Sequence, residues 1–185
     1  MAVDSSKIKI AGSGAVWYAP AGTTLPTDST SALASGFVNV GYVEDGFELA
    51  QDLKTKEVTG WQNVDVLRLI PTQLSRSVKF TGIETNKTSV QLAWGGATVT
   101  PGTGSAYSLT LPDPIAAGEF VIVLDWNDGA VSQRIVIKRA TFKNLPSVKF
   151  SRMDKIGYDF EIQALVPADG SKAVAVYGSD AGVIA

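Results

Sequence analysis

Phe120-Val121-Ile122-Val123-Leu124-Asp125-Trp126 decides the fold. One face of this run carries Phe120, Ile122, Leu124 and Trp126, and the other is also apolar until Asp125. A strand with two apolar faces is covered on both sides and sits in the middle of a sheet. Asn127-Asp128-Gly129-Ala130 follows, and Gly129 tolerates the positive φ that a tight hairpin needs. The chain returns through Val131 to Arg139, with Val131, Ile135 and Ile137 on one side and Ser132, Arg134 and Lys138 on the other. Further on, Tyr158, Phe160, Ile162, Ala164 and Val166 alternate with Asp159, Glu161 and Gln163, as in a half-buried antiparallel strand.

Outward from this centre, weaker strand patterns occupy 15–18, 37–43, 47–52, 56–60, 64–70, 74–82, 106–111, 145–150 and 173–178. Pro71, Pro101-Gly102, Pro112, Pro146 and Pro167-Ala168-Asp169-Gly170 read as breaks between them. Many short strands and 18 glycines predict a mainly β chain, an antiparallel sandwich or barrel. One segment departs from the period of two. Val90 and Ala93/Trp94 recur at helical spacing, Thr85 or Asn86 offers an N-cap, and Gly95-Gly96 a stop, which predicts one short helix. Residues 20–36 form a loop long enough to need a function or a partner.

The 185 residues fit a single domain, and with 45% hydrophobic and 18% charged residues they can build a core. A net charge of −2 argues against a dedicated binder of nucleic-acid backbone. The absence of cysteine and histidine removes disulfides, thiolate nucleophiles, Cys- or His-ligated metals, the Ser-His-Asp triad and imidazole bases. Neither a secretory signal nor a membrane span is expected, so the chain reads as soluble and folded in the cytoplasm of the cell that makes it. Asn86-Lys87-Thr88 is then a chance sequon.

Gly12-Ser13-Gly14 and Gly95-Gly96 lack the spacing of phosphate-binding loops and read as turns or caps. Ser6 and Lys9 match a Ser-x-x-Lys spacing but lie in a polar terminus that cannot depress a lysine. A glycosidase-like carboxylate pair could be drawn from Glu44/Glu48 or Asp125/Asp128, yet solvated edges and turns explain these acids equally well. Trp17, Trp61, Trp94 and Trp126 read as core or interface residues, or as a stacking row in a carbohydrate-binding module. No enzymatic activity and no cofactor or metal is expected.

Charge is segregated along the chain. Residues 44–60 hold Glu44, Asp45, Glu48, Asp52 and Glu57 against Lys54 and Lys56. Residues 134–155 hold Arg134, Lys138, Arg139, Lys143, Lys149, Arg152 and Lys155 against Asp154 alone. Two solvated faces would account for this, and so would copies of the chain meeting acidic surface to basic surface. A basic block could also touch phosphate.

Val16-Trp17-Tyr18-Ala19-Pro20-Ala21-Gly22-Thr23-Thr24-Leu25-Pro26-Thr27-Asp28 leads into Phe37-Val38-Asn39-Val40-Gly41-Tyr42-Val43-Glu44-Asp45-Gly46. Trp61-Gln62-Asn63-Val64-Asp65-Val66-Leu67-Arg68 and Arg76-Ser77-Val78-Lys79-Phe80-Thr81-Gly82-Ile83-Glu84-Thr85-Asn86-Lys87 follow. In this order the segments resemble the major tail (tail tube) proteins of long, non-contractile-tailed bacteriophages, especially those of actinobacterial hosts. The likeness covers roughly residues 10–165. It implies a β-sandwich or barrel with a flanking helix, assembled as hexameric rings stacked into a hollow tail tube. Such a tube forms in the host cytoplasm around a tape-measure protein, meets tail terminator and distal tail proteins, and later conducts the genome as part of the virion. A carbohydrate-binding module, or the tube of a secretion or contractile injection machine, are the other readings.

The resemblance also implies roles along the chain. Segment 43–61 is expected to protrude as a hairpin or loop, since Phe47, Leu49 and Val58 are few anchors against about 1–2 kcal/mol of backbone entropy per residue. Glu44, Glu48, Asp52 and Glu57 are candidates for an acidic lumen that repels duplex phosphates. Asp45, Phe47, Leu49, Lys54, Lys56, Arg134, Lys138, Arg139 and Lys143 are candidates for contacts between copies, with the basic ones facing protein or the outside. Residues 1–9 and 179–185 are expected to be terminal arms used in assembly. Deleting 179–185 is expected to leave a folded chain that polymerises less, measured as tube yield and length by electron microscopy.

Overall fold

The computed structural model describes residues 5–111 and 118–180. A single 3-10 turn, Ser5–Lys7, precedes β1 (Ser13–Pro20), β2 (Val38–Asn39), β3 (Val43–Gly60) and β4 (Asn63–Gly82). Then come α1 (Lys87–Ala93), β5 (Thr98–Pro101), β6 (Tyr107–Thr110), β7 (Phe120–Asp128), β8 (Val131–Lys149), β9 (Gly157–Ala164) and β10 (Val174–Gly178). The main sheet is antiparallel in the order β2-β1-β7-β8-β9-β4-β3, with β10 also on β8, and β5-β6 form a separate pair. The chain is mainly β with one short helix, as its alternating pattern predicts.

β7 is an interior strand of the sheet. Phe120 to Leu124 are all buried, between β1 and β8. Phe120, Ile122 and Leu124 point into the main cluster, where Ile135 and Ile137 of β8 meet Val78 and Phe80 of β4 and Tyr158, Phe160 and Ile162 of β9. Each such side chain contributes on the order of 1.5–3 kcal/mol by leaving water. Phe80 and Phe160 are cross-strand partners whose rings stack at 4.9 Å. Leu92 and Ala93 of α1 close this side.

Val121 and Val123 face the other way, into a second cluster with Ala19, Phe37 and Val136. Leu25, Leu33 and Ala34, from the loop between β1 and β2, pack over it. The long loop therefore has its function inside the domain, as a cover for β7. Arg134 holds it there. Its guanidinium donates Nε to Asp125 Oδ1 at 2.7 Å and Nη2 to Oδ2 at 3.0 Å, across the β7–β8 register pair. Its Nη1 donates to the carbonyls of Ser31 at 2.8 Å and Asp28 at 3.2 Å. Asp28 shapes the loop in turn by accepting from the backbone N–H of Thr30 and Ser31, at 2.8 and 2.5 Å. Those hydrogen bonds pull the Asp28 carboxyl down to about 2.

α1 forms where the helical spacing lies. Asn86 caps it by accepting from Ser89 N–H, while Asn86 N–H donates to Ser89 Oγ, both at 2.9 Å. Gly95 N–H to Leu92 O and Gly96 N–H to Gln91 O end it. The Asn86 side-chain amide also donates to Val40 O, so the sequon asparagine is occupied in the helix cap.

Two sequence expectations change. Patterns 47–52 and 56–60 fuse into β3, 64–70 and 74–82 into β4, and 131–139 and 145–150 into β8, so Pro71 and Pro146 mark shifts of register within strands and not breaks between them. Pro71 lies where β4 has only β3 beside it, and Pro146 where β8 has only β9. A proline needs no N–H on an edge without a partner. Pro101 ends β5, a strand that the sequence pattern does not signal. Residues 9–10 and 179–180 touch one another and the β7–β8 end. Lys9 pairs with Asp180 at 3.0 Å, Ile10 N–H donates to Asp128 Oδ2 at 3.2 Å, and Ser179 N–H to Ser132 O at 2.9 Å. Residues 1–4 and 181–185 of the expected arms, and the break at Pro112, lie outside the described residues.

Arg134→Ala strands the Asp125 carboxylate, only 19% exposed, and frees the loop over β7. The expected loss is about 2–4 kcal/mol in chemical denaturation, below the full cost of breaking a wholly buried pair. An unchanged unfolding midpoint would show that the loop holds without its clamp.

Candidate assembly surfaces

β8 is bent between two neighbourhoods. Up to Ala140 it pairs with β7 on one edge and, over Gln133–Ile137, with β10 on the other; from Ala140 onward it pairs with β9. The second half of β8 thus joins β9, β4 and β3 in a four-stranded sheet. Among the described residues, neither the outer edge of β3 nor the β7-side edge of β8 beyond Ala140 has a strand partner.

One face of this sheet packs into the main core, and the other is polar. Cross-strand partners share a face, so Asn144, Glu161, Lys79 and Glu48 make one row and Ser147, Asp159, Thr81 and Glu44 the next. Asp52 lies on this face as well, because strand parity puts it with Glu48. Glu57 does not. It is an odd number of residues from Asp52 and stands across from Leu69 on the opposite face, so the four acids do not form one lining. Asp159 and Glu161 join the acidic face instead. The alternation of β9 already marked them as solvent-side residues.

The cations of this face are engaged by its acids. Lys143 reaches Glu161 at 2.8 Å, Lys79 reaches Glu161 at 3.7 Å, and Lys155 reaches Glu44 at 2.5 Å. The Lys143 and Asn144 hydrogen bonds hold the Glu161 carboxyl below its ordinary range, and the Glu44 bond holds Lys155 above its own. Exposed pairs like these add little stability. They do set the charge that a passing ion meets.

Segment 43–61 is one strand and the tip of a hairpin, and β4 is its other strand. β9 supports β4 only from Ser77 to Gly82, so the ribbon of about residues 51–74 stands clear of the body. From the Leu53–Leu74 pair to Gly60 this is seven residue steps, or about 23 Å at roughly 3.3 Å per residue. Leu53, Leu69, Leu74 and Pro71 share one ribbon face with Glu57, while Lys54, Lys56 and Arg68 share the other with Val58 and Ile70. Trp61 at the tip is 98% exposed. The remaining tryptophans sit apart on β1, at the end of α1 and on β7, and Trp126 is tied to Gln133 at 2.9 Å.

The other contact candidates separate. Asp45 and Gly46, both at positive φ, form a bulge at the foot of the hairpin. Phe47 and Leu49 are half-buried against the domain's own core. Lys54 and Lys56 are exposed on the ribbon. Arg134 is a correction: it is buried, and it clamps the β1–β2 loop where an outward basic face was expected. Lys138 reaches Ser171 at 3.3 Å, and Arg139 pairs with Glu119 and donates to Val166 O at 2.9 Å. Lys143 lies on the acidic face. The basic block of 134–155 is therefore divided between faces by the pleat and the bend of β8.

The sequence model of the family described as phage tail tube protein matches residues 1–184, and the chain belongs to that family. No curated protein matches it. Its role is that of a structural component of a virion tail tube.

An unsupported two-stranded ribbon is marginally stable in water. Amide hydrogen exchange over residues 51–74 is expected to be fast in the dispersed chain and strongly slowed in the assembled tube. Equal protection in both states would show that no neighbour orders the hairpin.

Proposed function

We propose that this tail tube protein closes into hexameric rings through the free edges of its four-stranded sheet, and that the rings stack into the tube that delivers the genome. β3 of one copy pairs with the second half of β8 of the next. The unpaired edges at both sides of that sheet carry the reading. An exposed edge is a template for another chain, and closure of a sheet into a barrel removes edges altogether. A contact between two different surfaces generates a ring when its rotation closes.

The polar face, with Glu44, Glu48, Asp52, Asp159 and Glu161, then lines the lumen. Carboxylates repel the phosphates of the passing duplex over about one Debye length, roughly 8 Å at physiological salt. Lysines already engaged by neighbouring acids offer a phosphate little to bind, so counterion release does not hold the DNA in place. The tube grows around a tape-measure protein in the host cytoplasm and is bounded by terminator and distal tail proteins. The host is an actinobacterium and the tail long and non-contractile.

Electron microscopy of the purified chain is expected to give six-fold rings and hollow tubes whose lumen-facing side chains sum to a negative charge. Monomers at every concentration would overturn the assembly, and a net positive wall would overturn the lining.

A further inference from the structure

Three aspartates of this chain precede a glycine: Asp45, Asp128 and Asp169. Glycine has no side chain to shield its nitrogen, so an Asp-Gly bond is where the main chain can attack an aspartyl carboxyl. The fold treats the three differently. Asp169 Oδ1 accepts from Ser171 N–H at 2.8 Å, and the Gly170 nitrogen that would attack donates to Pro167 O at 3.0 Å. Asp128 Oδ2 accepts from Ile10 N–H at 3.2 Å, and Asp128 stands in register with Val131 across its turn.

Asp45 is not held in this way. Its side chain makes no hydrogen bond among the described residues, and both Asp45 and Gly46 are exposed. Lys155 senses the Asp45 charge but makes its hydrogen bond to Glu44. Glu44 pairs with Thr81 and Phe47 with Phe80, so β3 carries two residues here that β4 does not match. Among the described residues Asp45 is also the one non-glycine at positive φ, 55°. A side chain built at Gly46 would meet nothing within 4 Å, so the surroundings of the attacking nitrogen are open.

We infer that Asp45-Gly46 is a site of isoaspartate formation, at which the folded chain modifies itself with water as the co-reactant. The Gly46 nitrogen adds to Cγ of the neutral Asp45 carboxyl. An N–Cγ bond replaces the Cγ–OH bond, and the hydroxyl departs with the amide proton as water, leaving a cyclic succinimide. Water then opens the ring. Attack at Cγ restores aspartate, whereas attack at the Asp45 carbonyl carbon leaves the main chain running through Cβ and Cγ with the α-carboxylate free. Nothing is oxidised or reduced, and the composition ends unchanged.

The product suits its place. An isoaspartyl link lengthens the main chain by one methylene. Inside a matched strand that would disturb every pair beyond it, but the unmatched bulge between Glu44 and Phe47 takes up the extra atom. It also releases residue 45 from a left-handed conformation that is costly for a residue with a Cβ. The Phe47–Phe80 pair and the core behind it keep their places. The reaction needs one copy of the chain and does not depend on the tube reading.

The test uses the full-length protein, aged in neutral buffer, methylated by a protein isoaspartyl methyltransferase with a labelled methyl donor, then digested and mapped. Label is expected in the peptide holding residues 45–46, several-fold above the peptides holding Asp128-Gly129 and Asp169-Gly170. Ageing in urea, which frees the other two carboxyls, is expected to erase this preference. Asp45→Glu keeps the charge but must close a larger ring, so the label at this position is lost. Asp45→Asn, whose new side chain tolerates positive φ, is expected to gain the mass of aspartate as the same ring forms with loss of ammonia. An aged folded chain without label at 45–46, or with equal or greater label at Asp128 or Asp169, overturns the site. A preference that persists in urea overturns the part assigned to the fold.

Discussion

Two-sided burial of β7 is the constraint on which the rest of this domain depends. A strand with Phe120, Ile122 and Leu124 on one face and Val121 and Val123 on the other must find two covers. The first is the folded-over sheet with α1. The second is a loop, and a loop does not hold itself against a sheet when each ordered residue costs about 1–2 kcal/mol of backbone entropy. Arg134 supplies the hold. It takes the Asp125 carboxylate with two of its nitrogens and the loop carbonyls with a third, so that a buried charge is paired and hydrogen-bonded at once. The same clamp fixes the register of β7 on β8, from which β8 bends away to start the second half of the sheet.

That bend leaves open strand edges at the margins of the domain. The interior half of β8 has strands on both edges, whereas its outer half and the whole of β3 have one neighbour each. A monomeric β-protein usually shortens or blocks such edges. Here they are long, and one of them extends into a ribbon with a leucine face that the domain does not cover. Unspent backbone hydrogen bonds and exposed leucines suit a chain whose finished form is a polymer, which agrees with its family. The acids of the polar face belong to the same economy, since alternation along β3 and β9 sends to the open side the residues that the core rejects.

Where physics is local, the sequence was legible. Continuous apolarity marked β7, the alternation of Tyr158, Phe160 and Ile162 marked β9, and Asn86 with Gly95-Gly96 bounded α1, since each depends on neighbours within a few residues. A proline's effect is not local, because it depends on whether a partner strand needs the missing N–H. Glu57 was grouped with Glu44, Glu48 and Asp52 by closeness in sequence, but strand parity divides them between faces. Arg134 looked like one member of a basic block, and only its cross-strand partner Asp125 made it internal.

The sequence by itself thus determined the class of the fold, its interior strand β7, its helix and, through an ordered set of segments, its family. The first three depend on side-chain period, capping and turn chemistry, all of which a short stretch of chain encodes, whereas the family rests on the resemblance of whole segments in their order. Only the tertiary structure decided which edges stay open, which acids share a face and how far the hairpin stands from the body. Those properties belong to pairs of residues as distant as Lys155 and Glu44 or Arg134 and Ser31, and they come into being when the sheet sets its register.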